Sequence, residues 1–122
     1  MGSRLSGITV DCADPAALAV FWGRLLDRRP SGEHDGPGWA TVGSRSDAAP
    51  RLTFQQVPEP KRGKVRLHLD VQVDDVDAGR ARVEDLGGWW TGERHDYPGE
   101  GVVLVMADPE GHEFCLVQYL DG

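Results

Sequence analysis

Asparagine is absent from this 122-residue chain, isoleucine occurs once at Ile8, and lysine appears only at Lys61 and Lys64 while arginine is plentiful. That bias reads as GC-rich bacterial coding rather than as function. Cysteine is scarce too. Cys12 and Cys115 lie far apart with no C-x-x-C pair, which excludes a disulfide framework and a zinc ribbon, so both are expected to be free thiols. No window approaches the roughly 20 apolar residues that a membrane helix requires, and no basic segment followed by an apolar stretch opens the chain. A cytoplasmic protein with no membrane partner is expected. Positive charge is short as well: 13 Lys and Arg stand against 20 Asp and Glu, for a formal charge of −7. That balance disfavours phosphate backbones, so no nucleic acid partner is expected. A G-x-S-x-G elbow, a phosphate loop, a dinucleotide fingerprint and H-E-x-x-H are all missing, which sets aside serine hydrolases, nucleotide enzymes and zinc proteases.

What is present is one pattern stated twice. It begins at Gly7 and again at His68, 61 positions later, half the length of the chain. In the first copy Ile8 and Val10 alternate into Ala13-Asp14-Pro15 and a helical pattern ending Leu25-Leu26-Asp27. In the second, Leu69, Val71 and Val73 lead into Asp74-Asp75-Val76 and a helical pattern ending Leu86-Gly87-Gly88. Asp14 is a natural N-cap, with Pro15 at the first helical position where its missing N–H does no harm. Leu18, Phe21, Trp22, Leu25 and Leu26 form that helix's apolar stripe.

Strands are predicted over residues 5–11, 29–34, 39–42 and 51–57 in the first half, with Pro58, Pro60 and Gly63 as a linker. The second half is predicted to open with a strand over residues 65–73. Val65, Leu67, Leu69, Val71 and Val73 would take one face, and Arg66, His68, Asp70 and Gln72 the other. A helix over residues 76–86, capped by Asp74 or Asp75 and ended by Gly87-Gly88, and strands over 89–94, 102–107 and 113–120 complete it. Asp108-Pro109-Glu110-Gly111 carries the chemistry of a tight turn. The chain is expected to be a single domain over residues 1–122, made of modules 1–60 and 61–122 that share one core.

Strand, helix and three strands given twice, with Asp108-Pro109-Glu110-Gly111 ahead of Glu113-Phe114, resemble the vicinal oxygen chelate superfamily. The helix running from Phe21-Trp22 to Leu26 and the segment Lys64-Val65-Arg66-Leu67-His68-Leu69-Asp70 add to the likeness, the latter toward the glyoxalase-like subfamily. That superfamily includes glyoxalase I, extradiol dioxygenases, fosfomycin resistance enzymes and bleomycin-binding proteins. The resemblance spans nearly the whole chain. It implies an α+β fold in which two βαβββ modules form a curled, cup-like mixed sheet with the helices outside. In metal-using members, four His, Glu or Gln side chains on the first and last strands of the modules chelate a divalent ion. Those positions fall here on Gly7, His68, Gln55 (or Gln56, one step away) and Cys115. Gln55 is favoured because Leu52 and Phe54 should face the helices. Gly7 supplies no ligand atom and Cys115 a soft one, so neither a metal nor another cofactor is expected.

The cup is expected to be lined by Thr9, Asp11, Gln55, Arg66, His68, Asp70, Trp89 or Trp90, and Cys115. Arg66, His68 and Asp70 are either a ligand-facing row, with Arg66 receiving an anionic group, or an ion-pair row that only holds the sheet. Cys115 reads first as a small apolar filler and second as a thiolate stabilised by His68. Trp22 belongs to the helix stripe. One of Trp89 and Trp90 should point away from the helices, as a cavity wall or a dimer contact. His34, His95 and His112 read as solvated loop histidines. These features suggest a protein that binds a small organic molecule, akin to drug-sequestering proteins, and the resemblance, with aromatic residues to spare for an interface, implies a homodimer. The alternative is an enzyme of lyase, isomerase, transferase or dioxygenase type, with His68 as metal ligand or general base.

Overall fold

The computed structural model describes residues 2–32 and 35–120. They form two compact units, Met1–Pro60 and Lys61–Gly122. The first contains β1 (Gly7–Cys12), α1 (Pro15–Leu25), β2 (Trp39–Val42) and β3 (Arg51–Gln56). The second contains β4 (Asp70–Gln72), α2 (Val76–Asp85), β5 (Trp89–Tyr97), β6 (Gly101–Ala107) and β7 (Glu113–Tyr119). The architecture is α+β: two open mixed sheets, ordered β1-β3-β2 and β4-β7-β6-β5, each with one helix.

In the first unit the Asp14 carboxylate accepts the Ala17 N–H, which meets one of the donors a helix start leaves unbonded. Leu18, Phe21 and Trp22 on α1 are buried, and the helix packs on β2 and β3. Val42, Leu52 and Phe54 supply the matching apolar face, as the alternation of β3 requires. The opposite face carries the rows Thr9, Thr53, Thr41 and Asp11, Gln55, Trp39. Asp35 accepts both the Thr41 N–H and its hydroxyl at 2.9 Å, which satisfies a side chain that is only 1% exposed. The strand expected over residues 29–34 does not form in its described part: Pro30 has no N–H to give a ladder and Gly32 turns with φ +69°. His34 lies outside the described residues.

In the second unit Asp75, rather than Asp74, caps α2, and the Val76 N–H reaches across to Gln118 Oε1 at 2.8 Å. Gly87 ends the helix at φ +104°, a left-handed conformation that returns the Gly88 N–H to the Val83 carbonyl. The 65–73 strand shortens to three residues, and the pairing register explains why. Asp70 lies opposite Cys115 on parallel β7, so Arg66 would have to pair with Gly111, which is already in the turn. The ladder starts at Leu69, whose carbonyl accepts the Cys115 N–H, and Val65 donates to the Glu113 side chain instead. Leu67, freed from any sheet face, is 68% exposed.

Candidate functional site

Cross-strand partners share a face, so the second sheet's register sorts its side chains. Leu104, Met106, Phe114 and Leu116 are buried, and Leu116 reaches α2 beside Gly79. The other face presents three rows: Val105, Cys115 and Asp70; then His95, Val103, Val117 and Gln72; then Tyr97, Gly101 and Tyr119. These rows enclose a depression of about 400 Å³. Val103, Val117 and Cys115 form its floor, while Asp70, Glu100, Tyr97 and Tyr119 stand around it. Every lining residue belongs to the second unit.

Of the residues expected at the site, Asp70 and Cys115 meet here as register partners. Trp90 does not: the Arg80 guanidinium of α2 sits 4.4 Å from its ring centroid, so it packs on the helix face. Trp89 lies beside Gly111 at the turn, outside the depression. Arg66 and His68 are exposed in the irregular segment before β4 and do not line it. Thr9, Asp11 and Gln55 share the polar face of the first unit, with Asp11 opposite Gln55.

Two histidines read as solvated loop residues each have a carboxylate partner. His95 lies on β5, its Nε2 2.5 Å from Glu93 Oε2, and stacks on Tyr97. His112 Nδ1 lies 2.9 Å from Asp108 Oδ2. Tyr97, Glu100, Val103, Val117 and Tyr119 were not anticipated. The alternation from Cys115 through Val117 to Tyr119 would have found two of them. Tyr97 needed the hairpin register, which the β-bulge between Trp90 and Arg94 shifts.

Burial pushes the Cys115 thiol up, the nearby Asp70 and Glu93 carboxylates push the same way, and Lys64 opposes them weakly. The thiol therefore stays protonated at neutral pH, against the thiolate reading. Iodoacetamide at pH 8 is expected to modify Cys115 several-fold more slowly in the native protein than in urea. Equal rates by mass spectrometry would contradict the buried, neutral thiol. The hydrogen bond from His95 holds the Glu93 carboxyl below the usual range, with smaller help from Lys64 and His68.

The donor set does not fit a divalent ion. Asp70 pairs with Cys115 and Thr9 with Thr53, so the repeat equivalent of Cys115 is Thr53, not Gln55 two residues further along β3. The inherited positions then read Gly7, Thr53, His68 and Cys115: by residue type one ordinary ligand, a buried hydroxyl, a protonated thiol and a glycine with no ligand atom. Among the described residues no group of three His, Cys, Asp or Glu side chains is placed to hold a metal. No described helix is long and apolar enough to cross a membrane.

A glyoxalase/bleomycin resistance protein/dioxygenase family enzyme from Burkholderia phytofirmans PsJN has the same fold, with TM-score 0.81 and 15% identity over 97% of this chain and 100% of that one. The fosfomycin resistance protein FosX from Listeria monocytogenes matches with TM-score 0.77 and 21% identity over 98% and 94%. A structure of a point mutant of that FosX holds Mn(II) and 1S,2S-dihydroxypropylphosphonic acid. No curated protein matches the chain in sequence. Residues 7–117 match the family described as the glyoxalase-like domain. With that match over nearly the whole chain and both sheets built as in these structures, the protein belongs to the glyoxalase-like domain family of the vicinal oxygen chelate superfamily.

Proposed function

We propose that the protein binds a small organic molecule in the depression of the second sheet and does so without a divalent metal. The observation that carries this reading is the concave, mixed surface itself. About 400 Å³ is lined by Val103, Val117 and Cys115 together with two acidic residues and two tyrosines. That volume is at the low end of the roughly 300–1,000 Å³ typical of ligand pockets, and a few polar groups around an apolar base is the usual division between affinity and orientation. The enzyme reading with His68 as general base has less support, because His68 is not among the lining residues.

Val117 is 8% exposed and sits at the centre of the floor, so Val117→Trp would fill the depression. Native mass spectrometry of the purified protein is expected to show a co-purified small molecule that Val117→Trp loses while its circular dichroism spectrum is unchanged. Retention by the variant would place binding elsewhere. Elemental analysis of untagged protein is expected to find far less than one divalent ion per chain, and a near-stoichiometric ion would overturn the metal-free reading.

A further inference from the structure

The row that closes the depression has an unusual composition: tyrosine, glycine, tyrosine. Tyr97 on β5 pairs with Gly101 on β6, and Gly101 pairs with Tyr119 on β7, so both rings rise from the same face with no side chain between them. The gap is fixed by the backbone. A Cβ on Gly101 would lie 2.2 Å from the Gln118 carbonyl oxygen, closer than any real contact, so no side chain can fill it without moving a strand. Two strand spacings separate the tyrosines by roughly 9–10 Å. One planar ring between two aromatic faces needs roughly 7–8 Å, two carbon contact distances. At that backbone spacing there is room for one flat ring between the two side chains.

Charge decides which kind of ring. Glu100 lies in the loop beside this row, its backbone tied at both ends by the Tyr97 carbonyl and the Leu120 N–H, and it is one of the residues that line the depression. Asp70 lines the opposite end. Among the described residues the lining contains two acidic residues and no Lys, Arg or His; Lys64 acts on Cys115 from outside it, and His95, which stacks on Tyr97, is paired with Glu93. Tyr97 and Tyr119 are half-exposed, at 48% and 50%, an unusual amount of aromatic surface to leave in water beside a cavity.

We infer that Tyr97 and Tyr119 form an aromatic clamp for a planar organic cation, with Glu100 as its counter-charge. This rests on the small-molecule reading above and deepens it. A tyrosine on either side and an acidic residue at the edge favour a delocalised positive charge, while a neutral ring of the same shape gains the stacking alone.

Proflavine, a planar cation at pH 7.5, and acridine, neutral at that pH on the same ring system, separate the two contributions in fluorescence titrations. Proflavine is expected to bind at least about tenfold more tightly than acridine, and Tyr97→Leu and Tyr119→Leu to weaken it roughly fivefold or more each. These variants keep net charge and apolar bulk, so non-specific attraction to an acidic protein would not respond to them. Glu100→Gln should bring the two dyes to similar affinity and remove most of the salt dependence. Equal binding of both dyes, indifference to the tyrosine variants, or no binding of proflavine overturns the clamp. If both dyes bind equally and Val117→Trp displaces them, the small-molecule reading stands while the clamp falls. If Val117→Trp changes no bound molecule of any kind, the broader reading falls with it.

Discussion

Replacing Asp108 with alanine is expected to lower the unfolding free energy by about 3–5 kcal/mol, the range seen when one partner of a buried polar cluster is deleted. Asp108 follows β6 directly and is fully buried. Its Oδ1 accepts the Glu110 N–H at 2.9 Å and the His112 N–H at 3.0 Å, and the carboxylate also meets His112 Nδ1. The Gly111 N–H closes the turn on the Asp108 carbonyl at 2.8 Å. Alanine would leave these donors without the acceptor around which the turn is wound, at about 1–3 kcal/mol for each that water cannot reach. Asp108→Asn keeps the shape and one acceptor oxygen, so a loss of about 1–2 kcal/mol is expected. Urea denaturation of the three proteins checks the order. A loss below about 1 kcal/mol for alanine would show that the turn is held by its backbone bonds alone.

That turn was legible in the sequence because its chemistry is local. Asp, Pro and Gly at fixed offsets dictate a reversal wherever they occur, and Asp14-Pro15 and Gly87 mark helix ends by the same logic. The repeat was legible for a related reason: two copies of one strand-and-helix pattern leave the same periodicity in both halves. Register was not. The alternation from Val65 to Val73 is correct as a pattern, but a strand exists only where a partner runs beside it, and β7 begins at Glu113. Residues 65–67 have no such partner, which takes Arg66 off the sheet, while His68, level with Glu113 in that register, lies just outside the three paired residues of β4. The same limit misplaced Gln55, since only the parallel pairing of β1 with β3 shows Thr53 opposite Thr9. Neighbouring tryptophans on β5 could not be told apart until the ladder set Trp90 against Met106 and beneath Arg80. The depression suffers most from this, because the strand residues that line it come from β4, β5, β6 and β7 and no single segment contains them.

Gly101→Ala is expected to cost about 2–4 kcal/mol, more than most glycine substitutions in a strand, because the obstacle is main chain rather than a movable side chain. The new methyl would lie 2.2 Å from the Gln118 carbonyl oxygen, 3.1 Å from its carbon and 3.2 Å from the Tyr119 Cα. Relief requires β6 and β7 to part where they hold Tyr119, and the Leu120 N–H to Glu100 bond at 2.9 Å lies in the same stretch. Gly36→Ala is the matching control: a Cβ there meets nothing within 4 Å, so a change within about 0.5 kcal/mol is expected. Denaturant unfolding of both variants measures the difference. If Gly101→Ala were as mild as Gly36→Ala, the strands would be free to shift and the open row between Tyr97 and Tyr119 would not be a fixed property of the sheet. A large loss means that a glycine is required there for a backbone reason, and the ring-sized gap above it follows from the same constraint.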